Sequence, residues 1–296
     1  MPSKRFLEFL EVSGRSSKPR SKGINMILPV EPHPIAANIL KGYSQYIDII
    51  KVLDREMWAP ASFVKSAIAT YRRFGIDVQF GGIPFEIARL EGKELELARE
   101  ARALGVNVIE YETHVAKADG VQKKSGTTFL KKQGFKVVGE VGAKWAWKDE
   151  TRSSVGQIDV AETTGAIGSF VDAGCDLVYL EGRVIVNLIG KNLDNRAGQR
   201  QLQDVVSVFD TSKLLFEVWG PEMTVRSPAK YWAWLISKFG PDVNLGNVVP
   251  EAIAFLESVR RGVSYEMDHP YLRWLEAGKP KKEWWTMDPP PYDVYI

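Results

Sequence analysis

The chain has 296 residues, 45% of them hydrophobic and 26% charged, and its 39 basic and 37 acidic residues leave a formal net charge of +2. These are ordinary values for one large or two small globular domains; the balanced charge lacks the footprint of a nucleic-acid binder, and no apolar run approaches the roughly 20 residues of a membrane span. A single cysteine, Cys175, excludes an internal disulfide and a thiolate-rich metal site, and the Phe6 to Leu10 run is too short and acidic for a signal-peptide core, so a cytoplasmic protein is expected.

Residues 1–23 form a basic arm, with Lys18-Pro19-Arg20 ahead of the first apolar segment, and are expected to be mobile or draped. From residue 24 onward short Val/Ile/Leu-rich runs alternate with segments of helical period. Strands are predicted near 24–30, 46–53, 77–81, 107–111, 136–141, 176–181, 213–218 and 242–245. Helices are predicted over 61–73, 85–104, 127–133, 157–173, 198–209, 226–239 and 250–261, several stopping at a glycine that feeds the next strand. Strands alternating with helices indicate βα units, and about eight of them close a barrel. The expected fold is therefore α/β, a TIM (β/α)8 barrel over residues 24–262; an open doubly wound sheet is the alternative, because periodicity does not reveal closure. Residues 263–296 carry Tyr271, Trp274, Trp284, Trp285, Tyr292 and Tyr295 among prolines, too aromatic for a free tail. They are expected to pack on the barrel or on a neighbouring subunit, or to form a lid.

The strands end unusually. Asp176-Leu-Val-Tyr-Leu-Glu-Gly-Arg183 is a buried stave that finishes on an acid, a glycine and a base, and other apolar runs finish on Lys51, Glu110, Glu140 and Glu217. Carboxyl ends of barrel strands open onto one face, where catalytic groups gather. Lys144 and Arg183 follow a few residues into the loops. Four carboxylates in one place repel unless something positive sits among them. An all-oxygen set suits a hard ion such as Mg²⁺, and His33, His114 and His269 are too scattered for zinc. The alternative is a salt-bridge network that merely closes the barrel mouth. Gly81-Gly82-Ile83-Pro84-Phe85-Glu86 permits close backbone approach to a ligand, and Asn244-Leu245-Gly246-Asn247 before Pro250 has the look of a late-strand phosphate loop. No Walker-type loop is present, and Gly165-Ala166-Ile167-Gly168 lies inside a helical stretch, which argues against a dinucleotide site.

Over residues 18–262 the sequence resembles the phosphosulfolactate synthase family, enzymes of the coenzyme M pathway that add sulfite to phosphoenolpyruvate. The resemblance rests on Lys18-Pro19-Arg20, Lys51, Gly81-Gly82 through Glu86, Glu140-Val141-Gly142, Glu181 with Arg183, Phe216-Glu217, and Phe239-Gly240-Pro241 through Asn247. It implies a TIM barrel, Mg²⁺ dependence and a homo-oligomer acting on phosphoenolpyruvate and sulfite or a related unsaturated acid. It also implies Glu110, Glu140 and Glu181 as metal ligands, Lys51, Lys144 and Glu217 as catalytic residues, and Lys18, Arg20, Glu86, Arg183, Gly246 and Asn247 as substrate contacts. The chain departs from the family pattern after Lys51 (Val52 to Trp58), after Glu110 (Tyr111-Glu112-Thr113-His114) and at Ala143-Lys144, where the family carries paired lysines. Those bulkier, more acidic loops, with Trp58, Trp145 and Trp147, keep two alternatives open: a larger, less anionic substrate, or a non-catalytic role like that of stress-associated relatives.

Overall fold

Period-two alternation in the strands sends one set of side chains inward and the other against helices, and the sheet those strands build is closed. A computed structural model describes residues 6–12, 14–29, 33–113, 115, 117–142, 146–148, 151–153, 158–218, 227–264 and 268–287, with the backbone alone for 146–148 and 151–153. In chain order the strands are β1 (Asn25–Ile27), β2 (Ile49–Val52), β3 (Asp77–Phe80), β4 (Val108–Tyr111), β5 (Lys136–Val141), β6 (Ala146–Lys148), β7 (Thr151–Ser153), β8 (Leu177–Leu180), β9 (Leu214–Glu217) and β10 (Asn244–Val248). Eight of these pair in parallel as β1-β10-β9-β8-β5-β4-β3-β2, and β6 and β7 form a separate antiparallel hairpin. The expected TIM barrel is thus the observed fold, and the open-sheet alternative falls because β1 pairs with both β2 and β10.

The helices are α1 (Ala37–Tyr43), α2 (Ala61–Arg73), α3 (Gly82–Glu91), α4 (Glu94–Leu104), α5 (Gly120–Lys132), α6 (Val160–Asp172), α7 (Gly182–Ile189), α8 (Arg196–Val206), α9 (Ala229–Phe239), α10 (Ile253–Arg260) and α11 (Pro270–Glu276). Their local logic is conventional. In α2, Val64, Ala67, Ile68 and Tyr71 fall on one buried stripe. Asp119 and Gln122 cap α5 reciprocally, the Gln122 N–H donating to Asp119 Oδ1 at 2.8 Å and the Asp119 N–H to Gln122 Oε1 at 3.0 Å. The predicted helix over 85–104 is in fact two, broken at Gly92, whose φ of +67° closes α3. Helix α7 lies outside the predicted helices, and its β-branched Val184-Ile185-Val186 has low intrinsic helix propensity.

Inside the barrel, Ile24, Met26, Ile49, Val108, Val138, Leu177, Tyr179 and Leu215 form an apolar plug. The larger core lies between sheet and helices. The amino end is closed by the arm: Lys18 Nζ donates to Ile47 O at 2.5 Å, and Arg20 pairs with Asp48 at 2.8 Å, both just before β2. Where the first and last strands meet, the buried Arg260 donates to Asn25 Oδ1 at 2.8 Å and to Val243 O at 2.7 Å. Beyond Gly262, Tyr271 donates to Glu11 O at 2.7 Å, and Trp284 is buried edge-on to Tyr271 with ring centroids 6.1 Å apart. No helix among the described residues is long and apolar enough to cross a membrane.

Candidate active site at the barrel mouth

Two residues beyond the apolar plug, the same inward-facing positions turn charged. Ile49 is followed by Lys51, Val108 by Glu110, Val138 by Glu140, Tyr179 by Glu181 and Leu215 by Glu217, each a step of two along its strand. All five charged side chains are buried and line one cavity of about 490 Å³ at the carboxyl ends of the strands, together with Glu112, Arg183 and Asn247. The sequence rule that strand ends share a face therefore brings Lys51, Glu110, Glu140, Glu181, Arg183 and Glu217 together.

Lys51 is the centre of the arrangement. Its Nζ lies 2.9 Å from Glu110 Oε2 and 2.9 Å from Glu217 Oε1, and 5.4 Å from the centroid of the Tyr179 ring. Burial pulls the ammonium toward the neutral form, but Glu110, Glu217 and Glu140 together outweigh it and hold its pKa well above the ordinary value. Glu110 moves the other way. Burial raises its pKa to about 7, Lys51 opposes the rise, and Glu140 reinforces it. A relay fixes it further: Gln79 Nε2 donates to Glu110 Oε2 at 2.5 Å, and Tyr179 Oη donates to Gln79 Oε1 at 2.5 Å.

Sequence reasoning left Glu112, Gln79 and Tyr179 out of the site. A signal for Glu112 was present, because Glu110-Tyr111-Glu112 puts two acids on one face of a strand. Gly82 at the start of α3 makes room for it, since a Cβ there would overlap the Glu112 side chain. Gln79 and Tyr179 look like ordinary strand residues and gain meaning only through their register, Lys51 opposite Gln79 and Glu140 opposite Tyr179.

Glu181 caps α7, accepting from the Arg183 N–H at 3.2 Å, so the acid that ends the strand also starts the next helix. One oxygen each from Glu110, Glu112 and Glu140, and one each from Glu140, Glu181 and Glu217, lie within 4.8 Å of one another. Asn247, at φ +55°, lines the same mouth, and its Oδ1 is buried without a hydrogen-bond partner. Hard oxygen donors in two adjoining triads, with one unsatisfied carbonyl beside them, fit a divalent cation of the hard class. The cluster can hold a metal ion.

Four expected substrate contacts are placed differently. Lys18 and Arg20 close the amino end of the barrel, a full strand length from the mouth, because their partners are backbone carbonyls and Asp48 ahead of β2. Glu86 does not line the mouth cavity; its carboxylate accepts from the Val115 N–H at 2.6 Å and tethers the loop that follows Glu112. Gly246 lies within β10 and not in a loop, opposite Glu217 in register. A Cβ there would overlap Leu215 and sit 3.2 Å from Glu217 Cγ, so the glycine serves barrel packing. Lys144 and His114 lie outside the described residues, as do the Trp145 and Trp147 side chains, while Trp58 is 86% exposed and does not line the mouth.

Comparison with known proteins bears on this geometry. The family described as (2R)-phospho-3-sulfolactate synthase (ComA) matches residues 13–266. The chain is 32% identical over 255 residues to a phosphosulfolactate synthase of Methanothermobacter thermautotrophicus, covering 84% of this chain and 92% of the relative. It is 29% identical over 251 residues to one of Methanocaldococcus jannaschii, covering 82% and 92%. To one of Bacillus subtilis it is 26% identical over 262 residues, covering 86% and 95%.

Proposed function

The chain belongs to the (2R)-phospho-3-sulfolactate synthase family, and on that premise we propose that it is a carbon–sulfur lyase-type synthase that adds sulfite to phosphoenolpyruvate to give 2-phospho-3-sulfolactate. The observation that carries the reading is the convergence of Lys51 with five buried carboxylates in one mouth, on a barrel whose catalytic groups belong at that end. In the proposed reaction the sulfite sulfur bonds to C3, the C2=C3 π pair moves toward the carboxylate, and a proton is delivered to C2.

Glu110, Glu140 and Glu181 are the proposed ligands of a hard divalent cation such as Mg²⁺, with Glu140 common to the two oxygen triads; when bound, it would supply Lewis-acid charge neutralisation. Lys51 stays protonated and holds Glu110 and Glu217 in place as a fixed positive charge. That locked ammonium is a poor proton donor, so proton delivery is assigned to Lys144. Arg183 would take a carboxylate or phosphate through its planar fork, and Asn247, which lines the same mouth, would orient the substrate. By the same reading the protein works as a homo-oligomer in the cytoplasm, without nucleic acid or membrane partners.

The test is to incubate purified protein with phosphoenolpyruvate, sulfite and Mg²⁺ and follow ³¹P resonances. A new phosphate-ester signal that needs all three components, and that Glu181→Gln abolishes while remaining folded, is the expected result. Absence of turnover in a protein that binds Mg²⁺ and phosphoenolpyruvate would overturn it.

A further inference from the structure

Beside the mouth lies a second cavity of about 490 Å³, bounded by residues of α5, α6, α7 and α8. The two share Glu112 and Glu140, so the acid cluster forms part of the wall of each. Phe170, Leu180, Val184, Ile185 and Leu188 give the second an apolar wall, while Lys117, Lys123, Asp159, Glu162 and Thr163 supply polar and charged lining. Sulfite has four heavy atoms and does not need such a space; roughly 300–1,000 Å³ is the range of pockets that take whole organic ligands.

Lys123 projects from α5 into the lining of this cavity and is only 8% exposed. Its Nζ donates to Ser169 Oγ at 2.9 Å and stands 4.3 Å from the centroid of the Phe170 ring. No carboxylate pairs with it among the described residues. The other buried lysine among the described residues, Lys51, is neutralised by Glu110 and Glu217. Burial accordingly drives the Lys123 ammonium below its ordinary pKa, with Cys175 opposing weakly. A desolvated ammonium on a hydroxyl and a ring face, at the edge of an apolar hollow, lacks the anion that would complete it. Asp159 and Glu162, at the α6 amino end, line the same cavity without pairing with Lys123 among the described residues, Asp159 Oδ1 accepting from the Glu162 N–H at 2.8 Å.

We propose that this side cavity is a binding pocket for an organic anion with an apolar body, distinct from phosphoenolpyruvate and sulfite, and that Lys123 is the residue that receives its carboxylate, sulfonate or phosphate. The proposal rests on the cavity and not on the reaction proposed above. The anion would lie with its body on Phe170 and Val184 and its charged end on Lys123.

Calorimetric titration of the full chain with 1-hexanesulfonate, hexanoate, 1-hexanol and inorganic sulfate tests this. Both organic anions should bind the wild-type protein and lose roughly tenfold or more affinity in Lys123→Met, the loss of one charge-assisted contact. Lys123→Arg should retain most of the affinity, hexanol should bind wild type and Lys123→Met alike, and Val184→Phe should weaken all three organic probes by filling the cavity. Melting curves without ligand establish that each variant is folded. Equal binding of hexanesulfonate to wild type and Lys123→Met, or sulfate binding as tightly as hexanesulfonate, would overturn the proposal. The two readings fail separately: Lys123-dependent binding without phosphoenolpyruvate turnover leaves the pocket and removes the reaction, whereas turnover with no Lys123-dependent binding does the reverse.

Discussion

Replacing Lys51 with methionine keeps most of the side-chain length and removes the cation that touches both Glu110 and Glu217. At 2.9 Å and an effective dielectric near 20, each pair attracts by about 6 kcal/mol before desolvation is counted. Burying the ammonium cancels much of that gain, but the cost of truncation is set by what remains, two buried carboxylates without their counter-charge. Losses of about 3–5 kcal/mol are typical of such half-broken pairs. For a chain of this size each kcal/mol lowers the melting temperature by about 2–4 °C, so a drop of roughly 6–20 °C is expected. The pH dependence follows from Glu110, whose folded pKa is raised by burial from 4.5 to about 7 and rises further once Lys51 no longer opposes it. A carboxyl with a raised folded pKa binds more protons folded than unfolded, so its contribution is present at low pH and lost as pH climbs through that window. The Lys51→Met penalty should therefore be largest at pH 8 and smaller at pH 5.5. Glu110→Gln in the same chain should recover about 2 kcal/mol at pH 8. Urea unfolding followed by tryptophan fluorescence, with EDTA present, measures all of this. A loss below about 1 kcal/mol at pH 8, or one equal at the two pH values, would refute the account.

Gly246→Ala forces a methyl group between Leu215, Met26 and Glu217 inside the barrel; it should cost about 1–3 kcal/mol in urea unfolding, and a neutral effect would contradict the packing role. Trp284→Ala empties the space over Gly262 and Tyr271 and should cost about 3–5 kcal/mol, whereas a loss near zero would mean that the extension adds nothing to the barrel's stability. Cys175 is buried, and desolvation raises its thiol to about 11, with Thr127 Oγ1 at 3.6 Å in partial opposition. At pH 8 only about 0.1% is thiolate, against about 10% for an unshifted thiol, so Ellman's reagent should react slowly with native protein and rapidly in urea; stoichiometric labelling within minutes under native conditions would count against this burial.

The strand ends were legible because barrel geometry turns a linear observation into a spatial one: a charge after an apolar run points to the mouth whichever strand carries it. Lys51, Glu110, Glu140, Glu181 and Glu217 were found this way. The residues that lie elsewhere than expected share a cause. Nothing in Lys18-Pro19-Arg20 says which end of the barrel the arm crosses, and cations fit a backbone-carbonyl rim as well as a substrate. Gly246 looked like a turn because a glycine that admits neighbouring side chains and a glycine that bends the chain are the same letter. Helix α7 was hidden by β-branched residues that its buried position tolerates, tertiary packing overriding local preference. The side cavity could not be read at all, for its wall is assembled from four helices whose relative placement is absent from their sequences.

The seam between β1 and β10 joins Asn25 to Leu245, and Arg260 fastens it from 235 positions away. Synthesis on the ribosome is vectorial, so the nascent chain makes its first strand at the start and meets that strand's second partner only near the end. Until β10 emerges, the growing sheet has two bare edges, the configuration most open to pairing with other chains. Codon-level pauses or edge-shielding chaperones would therefore act on this protein mainly in one late interval of translation, and a truncation before Asn244 would leave those edges permanently bare.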